Sequence, residues 1–274
     1  MNHVEPKRTL KLLSYNIQVG IDTRRYSDYI TQSWRHFLPY NKRQETLHSM
    51  SRLIRNYDIV ALQEADGGSI RSAFVNQVSL LADYAEFPNW HQQCTRNMGR
   101  IAQHSNGLLS KVKLDKVIEH KLPGVIPGRG AIEAHIGGPT NYVQLFVAHL
   151  ALSYRVRKEQ IAYLARQIND HRYVILMGDF NTSYDELVEQ FARHGVVLHQ
   201  PFHNNSPTYP SWKPVRQYDH ILLSPGMVIK NYRILRDSIS DHLPVELEVL
   251  LPESIMTEWQ HIQQQESVVL QPDL

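Results

Sequence analysis

Two hydrophobic periods alternate along the chain. Short apolar runs rich in β-branched residues predict strands at Leu10 to Tyr15, Ile59 to Leu62, Ala131 to Ile136, Tyr142 to Val147, Tyr173 to Met177, Tyr218 to Leu223 and Val245 to Leu251. Leu108-Leu109-Ser110 is also strand-like. Between these runs, apolar residues three and four apart predict helices. They fall at Leu47, Met50, Leu53, Ile54 and Tyr57 within Glu45 to Tyr57, and at Ile70, Phe74, Val78 and Leu81 within Ser69 to Tyr84. A third helix runs from Arg155 to Asn169, and a fourth from Asp185 to His194 is stopped by Gly195. The aromatic, polar stretch through Tyr40 has no clear period and reads as a long loop with room for one helix. Leu122 to Gly130 and His203 to Pro214 read as loops rich in glycine, proline or aromatic residues. The glutamine-rich tail from Pro252 reads as a loosely docked helix. With no internal repeat, linker or low-complexity block, one domain over residues 1–274 is expected, its core spanning about 10–251.

Composition narrows the class. The chain has 274 residues and 42% apolar content, enough for a substantial core. No apolar run reaches membrane-spanning length, and Met1 to Arg8 lacks the apolar segment of a secretion signal, so a cytoplasmic location is expected. Cys94 is the only cysteine, which excludes an internal disulfide and a cysteine-based zinc site. A net charge of +2 gives no global attraction to nucleic acid or anionic lipid, so phosphate affinity must come from a local patch.

The chemistry gathers at strand ends. The run Tyr173 to Met177 leads into Gly178-Asp179-Phe180-Asn181, placing a carboxylate and a carboxamide at a strand's C-terminal rim, where open α/β sheets site their ligands. Alone, Asp-x-Asn reads equally well as an Asx turn. Asn16, Glu64, His149, Asp219, Asp241 and His242 also fall at or beside strand ends. Singly, each has an ordinary explanation: a turn residue, a cap, or in the case of His149 a satisfied core histidine. Together they supply oxygen ligands for a hard cation such as Mg²⁺, and acids, bases and donors for phosphoester hydrolysis.

In that order, Tyr15-Asn16, Gln63-Glu64, Ser105-Asn106-Gly107-Leu108-Leu109-Ser110, Ala148-His149-Leu150, Gly178-Asp179-Phe180-Asn181, Tyr218-Asp219-His220-Ile221 and Ser240-Asp241-His242-Leu243-Pro244 resemble the motifs of the endonuclease/exonuclease/phosphatase superfamily. The resemblance runs from about Leu10 to Leu251. It implies an α/β fold, a four-layer α/β/β/α sandwich of two packed mixed sheets, and a metal-dependent phosphoric ester hydrolase using Mg²⁺ or Mn²⁺. It also implies roles. Glu64 would be the main metal ligand with Asn16 and Asp241 nearby. Asp179 would orient or deprotonate the attacking water, and Asn181 would hold it or a phosphate oxygen. His242, held charged by Asp219, and His149 would contact phosphate, with His149 a candidate donor to the leaving oxygen and Asn106 a supporting residue. Gln18 departs from the pattern, because several nuclease members carry an acidic ligand there. Together with histidine rather than tyrosine at His149, it weakens the case for an abasic-site enzyme.

Arg129, Arg155, Arg157 and Arg216 lie in or beside segments expected to ring the site and are candidate phosphate contacts, although helix-surface arginines are commonly solvated. Tyr209 and Trp212 suit either stacking on a substrate or anchoring their loop. No phosphate-binding Gly-x-x-x-x-Gly-Lys loop and no Gly-x-Ser-x-Gly elbow is present. The leading expectation is a phosphodiesterase acting on nucleic acid. A lipid or head-group phosphodiesterase and a non-catalytic binder of phosphorylated ligands are the alternatives.

Overall fold

The computed structural model describes residues 8–20, 43–125, 127–168, 172–200, 206–236 and 238–259. The predicted loop through Tyr40 lies largely outside the described residues.

Two sheets pack face to face. The first has the order β10 (Val228–Ile234), β11 (Val245–Leu250), β1 (Thr9–Asn16), β2 (Ile59–Asp66), β4 (Gln103–Ser110), β3 (Asn89–Asn97). The second has the order β5 (Lys116–Lys121), β6 (Gly130–Ile136), β7 (Val143–His149), β8 (Val174–Asp179), β9 (Asp219–Leu223). In the first, β1 runs parallel to β2 and antiparallel to β11, while β3, β4 and β10 complete it. In the second, β7 runs parallel to β8, flanked by β5, β6 and β9. Both sheets are mixed.

Alternation along each strand sorts side chains into layers. Leu10, Leu12, Ile59, Ala61, Leu145, Val147, Ile175, Met177, Ile221 and Leu247 fill the space between the sheets. The opposite parity of β1 and β2, with Leu13, Tyr15, Val60 and Leu62, packs under α1 (Arg43–Ile54) and α2 (Gln77–Tyr84). On the second sheet, Phe146, Ala148, Val174 and Leu176 pack under α3 (Tyr154–Ile168) and α4 (Tyr184–Ala192). The result is the expected four-layer α/β/β/α sandwich.

Several elements differ from expectation. Ser69 to Tyr84 is not one helix. A 3₁₀ turn at Ile70–Ser72 is followed by Ala73 and Phe74 at positive φ, and α2 begins only after Asn76, whose side chain accepts from the Val78 and Ser79 amides. The buried Asp66 carboxylate draws in Gly68 N, Ser69 N and the Ser69 and Ser72 hydroxyls, which offers the backbone a turn instead of a helix. The first residues of the tail are held more firmly than expected, the rest lying outside the described residues. Residues 253–259 are helical, Ile255, Met256 and Trp259 join the inter-sheet core, and Glu258 accepts from the Thr140 and Asn141 amides at 2.9 Å each. No helix among the described residues is long and apolar enough to cross a membrane.

One glycine is indispensable to this packing. At Gly178 (φ +149°) a Cβ would lie 1.9 Å from the carbonyl oxygen of Ala148 on the paired strand. Only glycine lets β7 and β8 close in the register that sets His149 beside Asp179. Gly178→Ala is therefore expected to lower stability by about 3 kcal/mol or more, read as a shift in the denaturation midpoint. A midpoint within experimental error of the parent would contradict that packing.

Candidate active site

The inward-facing row of each central strand ends in a polar residue at the same end of the sandwich. Ile175 and Met177 lead to Asp179, Leu145 and Val147 to His149, Leu10 and Leu12 toward Asn16, Leu223 and Ile221 back to Asp219, and Leu108 back to Asn106. The apolar core therefore opens into a polar site without any change of strand direction. Glu64 reaches it by a different device. Pairing of β2 with β4 slips between Leu62 and Ala65, and Glu64 takes φ +56°. Such a bulge re-aims a side chain, here leaving Glu64 partly exposed at the mouth.

Asp179 is the centre of the arrangement. Its Oδ1 accepts the Asn181 backbone N–H at 3.0 Å and its Oδ2 accepts Asn16 Nδ2 at 3.0 Å. The same Oδ2 is 3.5 Å from His149 Nε2 and 3.9 Å from His242 Nε2, and His149 Nε2 is 4.0 Å from Glu64 Oε1. His242 Nδ1 lies 2.8 Å from Asp219 Oδ2. Asn16, Glu64, His149, Asp179, Asp219 and His242 thus lie together, with Asp241 next to His242 in the chain.

The two histidines are driven in opposite directions. Burial works against a charged His242, but Asp219, Asp179 and Asp241 outweigh it and raise its pKa well above the usual value, so it is an imidazolium. Burial, Arg129 and His242 push the pKa of His149 well below the usual value, so it is neutral. Arg129 Nη1 sits 3.3 Å from His149 Nδ1. A guanidinium only donates, so Nδ1 carries the lone pair and Nε2 carries the hydrogen, aimed into the site.

Burial, together with Asp219 and Glu64, pushes the Asp179 carboxyl up to about 7 against the opposing pull of His242. Burial and Glu64 push Asp241 up to about 6, again against His242. Negative charge is therefore in excess here, and Asp219 Oδ1 is buried with no hydrogen-bond partner among the described residues. Ligand atoms of Asp179, Asp219 and His242 lie within 4.8 Å of one another, a group able to hold a metal ion. Since Asp219 and His242 already face each other at 2.8 Å, that pair serves better as an ion pair. The excess carboxylates Glu64, Asp179 and Asp241 then offer the hard oxygen atoms that a cation such as Mg²⁺ requires.

Other candidates play different parts. Gln18 is buried in a 3₁₀ turn and contributes its backbone N–H, which fixes the Asn16 amide at 3.1 Å through Oδ1. Asn181 Nδ2 donates to Leu150 O at 3.0 Å, tying the loop after β7 to the loop after β8. Asn106 Nδ2 donates to Gly130 O at 3.0 Å and Gln93 Oε1 at 3.3 Å, joining the sheets at the site's floor. Two arginines do not converge on the site. Arg157 is buried, donating to Ala151 O, Leu152 O and Glu186 Oε1, and Arg155 is 90% exposed beside Glu159. Arg216 donates to the Tyr218 hydroxyl at 2.6 Å on the outer rim. Tyr209 packs against His242 with ring centroids 4.8 Å apart, so it anchors its loop to the site.

Several supporting residues lay beyond the sequence reading. Tyr15 OH accepts from the Ile239 and Ser240 amides and so positions the segment bearing Asp241 and His242. Thr208 Oγ1 accepts from the Tyr218 and Asp219 amides. Asp66, ion-paired with Arg71, clamps the loop after Glu64. Burial alone would raise the Asp66 pKa, but bonds from Arg71 and Ser72 lower it to about 2. The hydrophobic pattern carries no trace of these partnerships; only the polar letters themselves could have prompted a search.

The α/β/β/α sandwich is shared with solved structures. An endonuclease/exonuclease/phosphatase from Beutenbergia cavernae superposes with a TM-score of 0.68 at 17% identity, covering 89% of this chain and 72% of that one. A mannosyl-6-phosphatase from Bacteroides thetaiotaomicron gives 0.65 at 17% identity, over 88% of this chain and all (100%) of that one. TDP2 from D. rerio, in complex with a single-strand DNA product, gives 0.62 at 18% identity, over 89% and 100%. No curated protein sequence matches significantly. The chain belongs to the endonuclease/exonuclease/phosphatase family, whose family model matches residues 13–242. It is accordingly a phosphoester hydrolase.

Proposed function

We propose that the protein is a Mg²⁺-dependent phosphodiesterase acting on nucleic acid, with Asp179 as the base that activates water. The observation that carries this reading is the Asp179 carboxylate, poised near neutrality within 3.5 Å and 3.9 Å of the Nε2 atoms of two imidazoles, His149 neutral and His242 charged. In the proposed step, Asp179 takes a proton from water as the water oxygen bonds to phosphorus and the ester P–O bond breaks. The His242 imidazolium, held by Asp219, has a proton to give to the leaving oxygen. The neutral His149 donates an Nε2–H hydrogen bond to a phosphoryl oxygen. Glu64, with Asp241 and Asn16 nearby, would hold the cation, which when bound neutralises phosphoryl charge.

Nucleic acid is favoured by the single-strand DNA product bound to the TDP2 relative. A small phosphomonoester is the second reading, favoured by the mannosyl-6-phosphatase relative and by the confined cavity beside Glu64. Hydrolysis of single-stranded DNA, RNA, sphingomyelin, phosphoinositides and sugar phosphates in parallel separates these readings. Metal-dependent turnover of the nucleic acids is expected, and turnover confined to sugar phosphates or lipids would overturn the first reading. Glu64→Gln is expected to raise the Mg²⁺ concentration giving half-maximal rate by roughly 10- to 100-fold. An unaltered metal titration would remove Glu64 from the ligand set.

A further inference from the structure

Beside Glu64 and His149 the site continues into a cavity of about 610 Å³, within the size range of small-molecule sites. Arg96, Arg129, His104 and Glu64 give it polar character, and Val125, Leu152 and Val156 apolar surface. Arg96 was not singled out by any motif. It lies on β3, with its aliphatic stem against Gly128, where a Cβ would meet the Arg96 Cδ at 3.4 Å and φ is +127°. Glycine at 128 thus leaves the arginine stem room to lie along the loop. Arg129 follows immediately and donates to His149 Nδ1, on the opposite side of the ring from the Nε2 that faces Asp179.

Neither guanidinium has a carboxylate partner among the described residues. Arg55, Arg71, Arg155, Arg157, Arg193 and Arg233 are ion-paired, and among the described residues Arg52, Arg100, Arg166, Arg172 and Arg216 meet only a hydroxyl or an aromatic ring; Arg96 and Arg129 are set apart by lining one cavity together. Two arginines without a carboxylate partner that line one cavity suit an anion, since arginine grips phosphate oxygens bidentately, and Glu64 on the same lining lies toward the metal end of the site. His104 is held neutral, because burial together with Arg71 lowers its pKa to about 4, so the positive charge of this lining comes from the two arginines.

We propose that this cavity is a specificity pocket for a second phosphoryl group of the substrate, held by Arg96 and Arg129, with the ring system between the two phosphates lying against Leu152 and Val156. The inference rests on the hydrolase reading above, because His149 is the divider between the scissile phosphate and the second one. In a nucleic acid the second group is the neighbouring backbone phosphate. In a small molecule it is a second phosphomonoester.

The test is calorimetric binding in metal-free buffer with EDTA, where nothing turns over, so that its outcome does not depend on catalysis. The probes are pdTpdT against dTpdT, and adenosine 3′,5′-bisphosphate against adenosine 5′-monophosphate. The extra phosphate is expected to tighten binding by at least about tenfold, and Arg96→Ala should erase that advantage while leaving the affinity for the probe lacking it within about twofold. Arg96→Lys should retain part of it, and Arg193→Ala, on an exposed helix surface, all of it. A gain confined to one probe pair identifies the source of the phosphate. Equal affinity for both members of each pair, or an Arg96→Ala loss as large on the singly phosphorylated probes, would overturn the proposal. Absence of turnover on nucleic acid, with the binding difference intact, would count against the substrate reading alone.

Discussion

Asp179→Ala is expected to lower kcat on the order of 10³-fold, because it removes the base while both imidazoles and Glu64 stay in place. The fold should not suffer. A carboxyl raised from 3.8 to about 7 binds its proton more tightly folded than unfolded, so its ionisation costs stability as pH rises through that window. The variant should therefore unfold no earlier than the parent at pH 7, and its stability should fall less between about pH 4 and 7. A large drop in midpoint with proportionate loss of activity would instead mark Asp179 as structural. In the parent, the acidic limb of the rate profile should move to lower pH as Mg²⁺ is increased, since a nearby cation favours the carboxylate.

The second large effect falls on the Asp219–His242 pair. Asp219→Asn keeps the shape of the side chain but removes the charge that sustains the imidazolium, the largest of the contributions opposing burial. The kcat should drop on the order of 10²-fold near neutral pH. The sign of the pH effect follows from the direction of the shift. His242 has a raised pKa, so the protonated form persists above the ordinary 6.5 and activity is lost as pH rises through the raised value. In Asp219→Asn the alkaline limb should move to lower pH, and activity should recover in part on acidification. A uniform loss at every pH would show that Asp219 serves only to position the ring. The pair buries an ion pair at 2.8 Å, so the variant should also lose stability, by about 3 kcal/mol.

The parts of the fold legible in the sequence are those where burial writes an unbroken pattern. Central strands such as β1, β2, β7 and β8 are covered on both faces, and their apolar runs gave their positions directly. The strands that escaped notice, β3, β5 and β10, all lie at sheet edges. There a half-exposed strand such as Asn89–Asn97 carries polar residues at most positions, and the period of two is diluted below recognition. The site was legible for a related reason. Asn16, His149, Asp179 and Asp219 continue the inward-facing rows of their strands, so an abrupt polar residue at the end of an apolar run, or for Asp219 at its start, announced each one. Glu64 was found by its motif, although its placement depends on a bulge that no periodicity reveals.

What stayed hidden depends on partners distant in the chain. Arg157 sits in the first turn of a helix after His149 and looked suited to phosphate, yet Glu186 on α4 and two backbone carbonyls claim it. Tyr15 reads as an ordinary apolar strand residue, and its role emerges only where its hydroxyl meets Ile239 and Ser240, more than two hundred residues later. Arg96 falls in a strand that the pattern did not show, and only the folded chain sets it in the same cavity as Arg129.

The most direct test of the central claim is single-turnover hydrolysis of an end-labelled single-stranded oligonucleotide by the wild-type protein and Asp179→Ala, each with Mg²⁺ and with EDTA. The account predicts cleavage by the wild type with Mg²⁺ and loss of cleavage in the other three reactions. Cleavage by Asp179→Ala at the wild-type rate, or cleavage that persists undiminished in EDTA, would contradict it.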